Sequence, residues 1–264
     1  MLAYSRPPDK RDLFIAIPHT GEVTLDWARK YKHLDMPPGV SFADIGLMGQ
    51  PIQNARNIAV TYALQHDAKH LFFIDSDIHL KHDTLNKLYE RRKPVIGAAY
   101  CSRAPPYNFV ANINRQALSP AEYIGKEMII DVEELGMGAC LIDMRIIFRM
   151  MEKFDMFFRC STLHKKELKN KTGVAKFQWK EAQEFNWKCK YCGNGLISEF
   201  FDYTIATERS DEVGMYSEDY YFCHNVIAVG GTVSVHTGAF VAHELLMHLI
   251  EQGLYNPVTS ASMI

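Results

Sequence analysis

The sequence predicts an α/β fold around a mostly parallel sheet, and three observations predict it. Continuous apolar runs at residues 13–18 ("LFIAIP"), 71–74 ("LFFI") and 94–100 ("PVIGAAY") have the length and composition of strands buried on both faces. The stretch between them repeats its apolar residues at helical period. The two kinds of segment alternate as strand, helix, strand, helix, strand, which is the order of a parallel sheet covered by helices.

Each element has its local reason. Pro18 is expected to stop the first strand, and "FADIGLMG" (42–49) reads as the second. After Pro51, Ala55, Ile58, Ala59, Tyr62 and Ala63 fall on one helical face. The third strand runs into "DSD" at 75–77. Asp83 is placed to cap a helix carrying Leu85, Leu88 and Tyr89, which ends before Pro94. Further on, "EMIIDVEEL" and "GACLIDM" are strand-like, and "RIIFRMMEKF" is helical. "SEDYYFCHNVIAVGG" is a capped helix ending in glycine before the strand "TVSVHTG". Residues 155–194 shift to lysine, aromatic and polar residues and read as an insertion with little means of building its own core. There is no repeat at a fixed period. The whole chain is expected to form one domain, 1–264, with that insertion.

Bulk composition narrows the function. The chain has 264 residues, is 47% hydrophobic and carries a net charge of −2. That is enough apolar material for a full core, and it excludes binding nucleic acid or an anionic membrane through bulk charge. No apolar run reaches the length of a membrane span, and the first residues lack the apolar core of a secretory signal. The six cysteines do not look like a secreted disulfide framework, so a cytoplasmic, reducing location is expected.

"FFIDSDI" carries the first chemistry. In an open parallel sheet ligands bind beyond the carboxyl ends of the strands, where Asp75 and Asp77 stand. In an extended segment side chains two apart point the same way, so both carboxylates can serve one site. Hard carboxylate oxygens suit Mg2+ or Mn2+, which neutralise a diphosphate and make it a better leaving group. The plain rival is an Asx turn before the next helix.

An ordered series runs over residues 13–238: "IPHTG", "NARN", "FFIDSDI", "VIGAAYCSR", "GMGACLID", "SEDYYF" and "HTG". In this series the sequence resembles the GT-A glycosyltransferases, in particular the small enzymes related to family 2. The resemblance implies a Rossmann-like GT-A sheet with helices on both faces. It also implies transfer of a sugar from a nucleotide-diphosphate sugar donor to a hydroxyl acceptor, with Mn2+ or Mg2+ as cofactor. By that resemblance Asp75 and Asp77, with Ser76 between them, hold metal and donor, and His236 completes the metal shell. Asp219, with Glu218 beside it, would deprotonate the acceptor if the enzyme inverts. Pro18, His19 and Thr20 would hold the nucleotide base, and Arg56 and Asn57 the nucleotide or its phosphates.

Each assignment has a structural rival. His236 could be a core histidine and Arg56 one half of a surface ion pair. Ser217, Glu218 and Asp219 suit a helix N-terminus, and "GMGA" suits a tight turn. Two other functions stay open: a sugar-1-phosphate nucleotidyltransferase, although "IPHTGEV" lacks that class's glycine-rich arginine loop, and a non-catalytic binding or scaffold protein.

Within the insertion, Cys189 and Cys192 have C-x-x-C spacing, and Cys160 and His164 lie upstream in "CSTLH". Together they could supply the four ligands of a structural zinc site; separate thiols or a redox pair are the rivals. Cys101, Cys140 and Cys223 read as ordinary buried thiols. "HELLMH" (243–248) has its histidines five apart rather than four, so it is not a zinc-protease motif.

Overall fold

Seven strands form the central sheet: β1 (Leu13–His19), β2 (Phe42–Met48), β3 (His70–Ile74), β4 (Val95–Ala98), β5 (Ile129–Val132), β6 (Ala139–Asp143) and β7 (Val233–His236). The computed structural model describes residues 10–123, 126–154, 157–163, 174–202, 204–206 and 214–243. Across the sheet the order is β2-β1-β3-β6-β4-β7-β5. β6 is antiparallel to both β3 and β4, and β5 to β7; the other neighbours are parallel, so five strands run one way. The chain leaves β1 for β2 on one side and returns to β3 on the other. Such a reversal of direction is where open α/β sheets bind ligands, beyond the carboxyl ends of the strands, here β1 and β3.

Strand alternation feeds two cores. Phe14, Ala16, Leu71, Phe73, Cys140 and Ile142 face one side, where α2 (Ile52–Gln65), α4 (Met144–Phe154) and α5 (Glu218–Ala228) pack. Leu13, Ile15, Phe72, Ile74 and Leu141 face the other, under α1 (Leu25–Lys32) and α3 (Thr84–Glu90). Burial on both faces is why these strands read as continuous apolar runs rather than alternating ones. On α2, Ala55, Ala59 and Ala63 are fully buried, and their small size brings the helix close to the sheet.

Several expectations change. Pro18 does not end β1, which continues to His19; the pairing with β3 has already stopped at Ala16, so the strand has a free side where the missing N–H is tolerated. Asp83 precedes α3 but makes no side-chain cap; its carboxylate pairs with Lys87 one turn on, at 3.1 Å. α1 was not anticipated, although Thr24 caps it by accepting from Trp27 N at 3.2 Å. "EMIIDVEEL" is two strands rather than one: β5 and the pair Glu134–Leu135, which joins a separate small sheet.

The lysine-rich stretch, together with the residues that follow it, does build a core. Phe158–Leu163, Val174–Phe177 and Leu196–Ser198 form a three-stranded sheet. Trp179, Trp187 and Phe158 stack edge-on or tilted against one another at 5.0–5.9 Å. The sequence suggests otherwise because lysines alternate with these aromatics, and their charged heads lie over the rings: Lys190 Nζ is 5.4–5.7 Å from those of Phe177, Phe185 and Tyr191.

This subdomain is anchored to α2 by buried hydrogen bonds. Asn57 donates from Nδ2 to Phe201 O (2.7 Å) and accepts at Oδ1 from Phe201 N (2.9 Å). Ser198 donates its N–H to Thr61 Oγ1 (2.9 Å) and its hydroxyl to Asn57 O (2.7 Å). Replacing Asn57 with alanine strands both polar groups of Phe201, so Asn57→Ala is expected to cost about 2–4 kcal/mol in urea denaturation. Ser198→Ala should cost less, since Ser198 keeps its N–H bond.

Candidate functional site

Four elements converge on the carboxyl ends of the parallel strands. Arg56 comes from the first turns of α2 and is 2% exposed. Three carboxylates surround its guanidinium: Asp219 at 2.8 Å, Asp75 at 3.5 Å and Glu218 at 3.6 Å. The rings of Phe73 and Phe201 flank it at 5.5 and 6.0 Å. It is therefore no surface ion pair. Burial works against the Arg56 charge, and Asp219, Asp75 and Glu218 more than offset it, so its proton is held more tightly than usual.

Asp219 sits on α5 directly after the cap, where Ser217 accepts from Tyr220 N, so capping and site placement coexist. Its Oδ2 accepts the Met137 N–H at 3.0 Å. Burial raises Asp219, Arg56 opposes, and Glu218 and Asp75 raise it further, leaving it at about 7. Burial likewise raises Asp75, against the pull of Arg56.

The "GMGA" loop ties these groups together. Asp75 N donates to Gly138 O (2.8 Å), and Gly138 N donates to the Tyr100 hydroxyl (3.1 Å). A Cβ on Gly136 would stand 2.1 Å from that hydroxyl oxygen, and one on Gly138 3.2 Å from Asp75 Oδ2. The glycines make room for Tyr100 and Asp75. Burial and the charges of Asp219 and Asp75 push the Tyr100 proton affinity well up, so the hydroxyl stays neutral.

The two aspartates do not lie on an extended segment. Ile78 N donates to Asp75 O at 3.0 Å, closing a turn that sends the side chains to different partners. Asp75 faces Arg56, whereas Asp77 pairs with Arg103 and stands 3.3 Å from His243 Nδ1. Burial raises Asp77, but His243 and Arg103 outweigh it, so it lies below the ordinary carboxylate range.

His243, not His236, is the histidine brought to Asp77. Residues Ala242–His243 pair antiparallel with Ile78–His79, directly after the aspartates. His236 is fully buried at the end of β7, where Gly238 N meets its Nδ1 at 3.1 Å and Arg91 Nε its Nε2 at 3.3 Å. Burial and the charges of Arg91 and Lys87 disfavour a positive ring there. The rest of "HELLMH", residues 244–248, lies outside the described residues.

The other expected residues divide. Pro18 is buried in β1, His19 packs over Gly46 of β2, and Thr20 is exposed at the strand end. Asn57 serves the subdomain contact, and Ser76 is the turn between the aspartates. The sequence reading missed Trp27, whose Nε1 donates to Asp75 O at 3.2 Å and which stacks on Tyr31 at 5.4 Å. It also missed Tyr100, Arg103 and His243. Only the Thr24 cap could have pointed to α1; Tyr100 and Arg103 stand in "VIGAAYCSR" and His243 opens "HELLMH", but neither motif says which carboxylate they meet.

Mn2+ or Mg2+ can be tested against these groups. Asp75 Oδ1 is buried without a hydrogen-bond partner among the described residues, and Arg103 puts a guanidinium cation on Asp77. Carboxylate oxygens with an imidazole are a suitable donor set. Their ligand atoms do not gather within 4.8 Å of one another, because each carboxylate faces its own cationic partner. The residue types fit the ion.

No known protein-family profile matches the chain, and no curated protein does. Among solved structures it is similar to A197 from STIV, at 13% identity over 88% of this chain and 84% of that one, with a TM-score of 0.44. It is also similar to residues 1–349 of TarS from S. aureus, at 10% identity over 94% and 68%, with a TM-score of 0.42. Both likenesses are distant, and the function proposed below rests on the chain's own residues.

Removing the cation leaves the carboxylates buried together, so Arg56→Ala should lower stability by about 3–5 kcal/mol at pH 8. Asp219 and Asp75 bind protons more tightly folded than unfolded, so the variant loses stability as pH rises through their folded pKa values. The penalty relative to the parent chain should therefore shrink on going from pH 8 to pH 5, measured by urea midpoints at each pH.

Proposed function

We propose that the chain is a metal-dependent glycosyltransferase of GT-A type, moving a sugar from a nucleotide-diphosphate sugar to an acceptor hydroxyl with inversion. One observation carries the reading. A buried carboxylate raised to about 7, Asp219, shares Arg56 with the first of two aspartates at the carboxyl end of a central strand. A general base needs a proton affinity near the working pH, and a diphosphate site needs cation-binding carboxylates beside it.

In this reading Asp75, Asp77 and His243 would hold Mn2+ or Mg2+, which would supply positive charge against the departing diphosphate; His236, the histidine expected from the resemblance, is not among them. Asp219 takes the proton from the acceptor hydroxyl as its oxygen bonds to the anomeric carbon and the bond to the diphosphate oxygen breaks. Arg56 and the Met137 N–H fix that carboxylate in position, and Glu218 keeps its proton affinity high. Arg103, on the loop after β4, pairs with Asp77 and sets a positive charge beside the place where the donor phosphates would lie. In this reading Pro18, His19 and Thr20, at the end of β1, would hold the nucleotide base.

A panel of sugar nucleotides with Mn2+, scored by binding and slow hydrolysis, tests the donor class; no binding to any of them would remove the reading. With a donor in hand, Asp77→Ala and Asp219→Asn should each lower transfer at least about a thousandfold while the protein stays folded. Because Asp219 must be ionised to act, kcat/KM should fall about tenfold per pH unit below about 7. Parent-level turnover by Asp219→Asn would overturn its role as base.

A further inference from the structure

A second set of metal-binding side chains lies in the insertion, away from the carboxylate site. Cys160 is on strand Phe158–Leu163, while Cys189 and Cys192 sit on the turn that leads into Leu196–Ser198. Their three Sγ atoms all lie within 4.8 Å of one another, with those of Cys160 and Cys192 3.5 Å apart. None of the six cysteines is in a disulfide. Sulfurs bound tetrahedrally to zinc at about 2.3 Å stand about 3.8 Å apart, so three thiols this close can reach one zinc ion with small side-chain shifts.

The turn is built to hold them. Cys189 N donates to Asn194 O (2.7 Å), Gly193 N donates to Cys189 O (2.8 Å), and Lys188 bridges to Gly195. Gly193 takes φ +74°, a conformation that a side chain would disfavour. Cys160 and Cys189 are buried, whereas Cys192 is exposed, which leaves the cluster open on one side for a fourth ligand. His164, the fourth ligand suggested by sequence, lies outside the described residues.

We propose that Cys160, Cys189 and Cys192 form a structural zinc site that braces the back of α2. Each thiol gives up its proton to solvent as its sulfur binds. Soft sulfur donors select zinc, while the carboxylates of the other site select Mg2+ or Mn2+, so the two sites separate by chemistry. The bracing follows from connectivity. Cys160 pairs with Leu196 in the subdomain sheet, Ser198 two residues on is bonded to Thr61 and Asn57 of α2, and Arg159 donates to Asn54 at 2.7 Å. Zinc would lock the strand of Cys160 to the turn that feeds Leu196–Ser198, and so hold the helix that carries Arg56.

Metal analysis of the untagged chain, purified without chelator, should find about one zinc per chain, and Cys192→Ser should lose most of it. Replacement by Co2+ should give the intense near-ultraviolet absorption of cobalt bound to thiolates. A strong chelator should lower the thermal midpoint, with zinc but not manganese restoring it. The proposal is overturned if the parent chain holds less than about a fifth of an equivalent of zinc and shows no cobalt–thiolate absorption. It is equally overturned if Cys192→Ser keeps its zinc, or if peptide mapping finds Cys160 and Cys192 joined in a disulfide. Should the variant fail to fold, the zinc content and cobalt spectrum of the parent chain still decide.

Discussion

Everything in the candidate site depends on one buried cation among three carboxylates. Arg56 takes its place because α2 begins at the carboxyl ends of the strands and lies close to the sheet on small alanines. Without its charge, Asp75, Glu218 and Asp219 could not all be buried together. Burial makes two of them, Asp75 and Asp219, hold their protons more tightly than usual, and Arg56 opposes that rise while fixing them in space. Stability and chemistry meet in the same group.

Arg56 also joins the two halves of the chain. Asp75 comes from the first half and Asp219 from α5, more than a hundred residues later. The subdomain that includes Ser198, with Phe201 just beyond it, holds the same helix through Asn57 and Thr61, and the Phe201 ring flanks Arg56 itself. A segment with no part in the carboxylate chemistry therefore helps fix its geometry.

The order of strands and helices was legible because burial on both faces of a sheet writes itself as unbroken apolar runs. Asp75 and Asp77 were legible as candidates because paired carboxylates stand out after a strand, whereas Asp219 was selected by the family resemblance and by local pattern alone reads as part of a helix N-terminus. Arg56 was visible as a residue but not as the centre, since a lone arginine on a helix says nothing of what faces it. His243 escaped because its place depends on a two-residue pairing with Ile78–His79. The extended-strand argument for Asp75 and Asp77 failed because a turn closes right after β3.

The sequence by itself determined the alternation of elements, the residues able to carry charge and metal chemistry, and the C-x-x-C turn. These follow from local period, local capping and residue type, which a linear chain expresses directly. Only the tertiary structure decided which acid meets which base, that β6 inserts antiparallel between β3 and β4, and that Cys160 reaches the turn at 189–192. Those outcomes are set by the packing of segments far apart in the chain, and no local pattern records the distance between residues that meet only on folding.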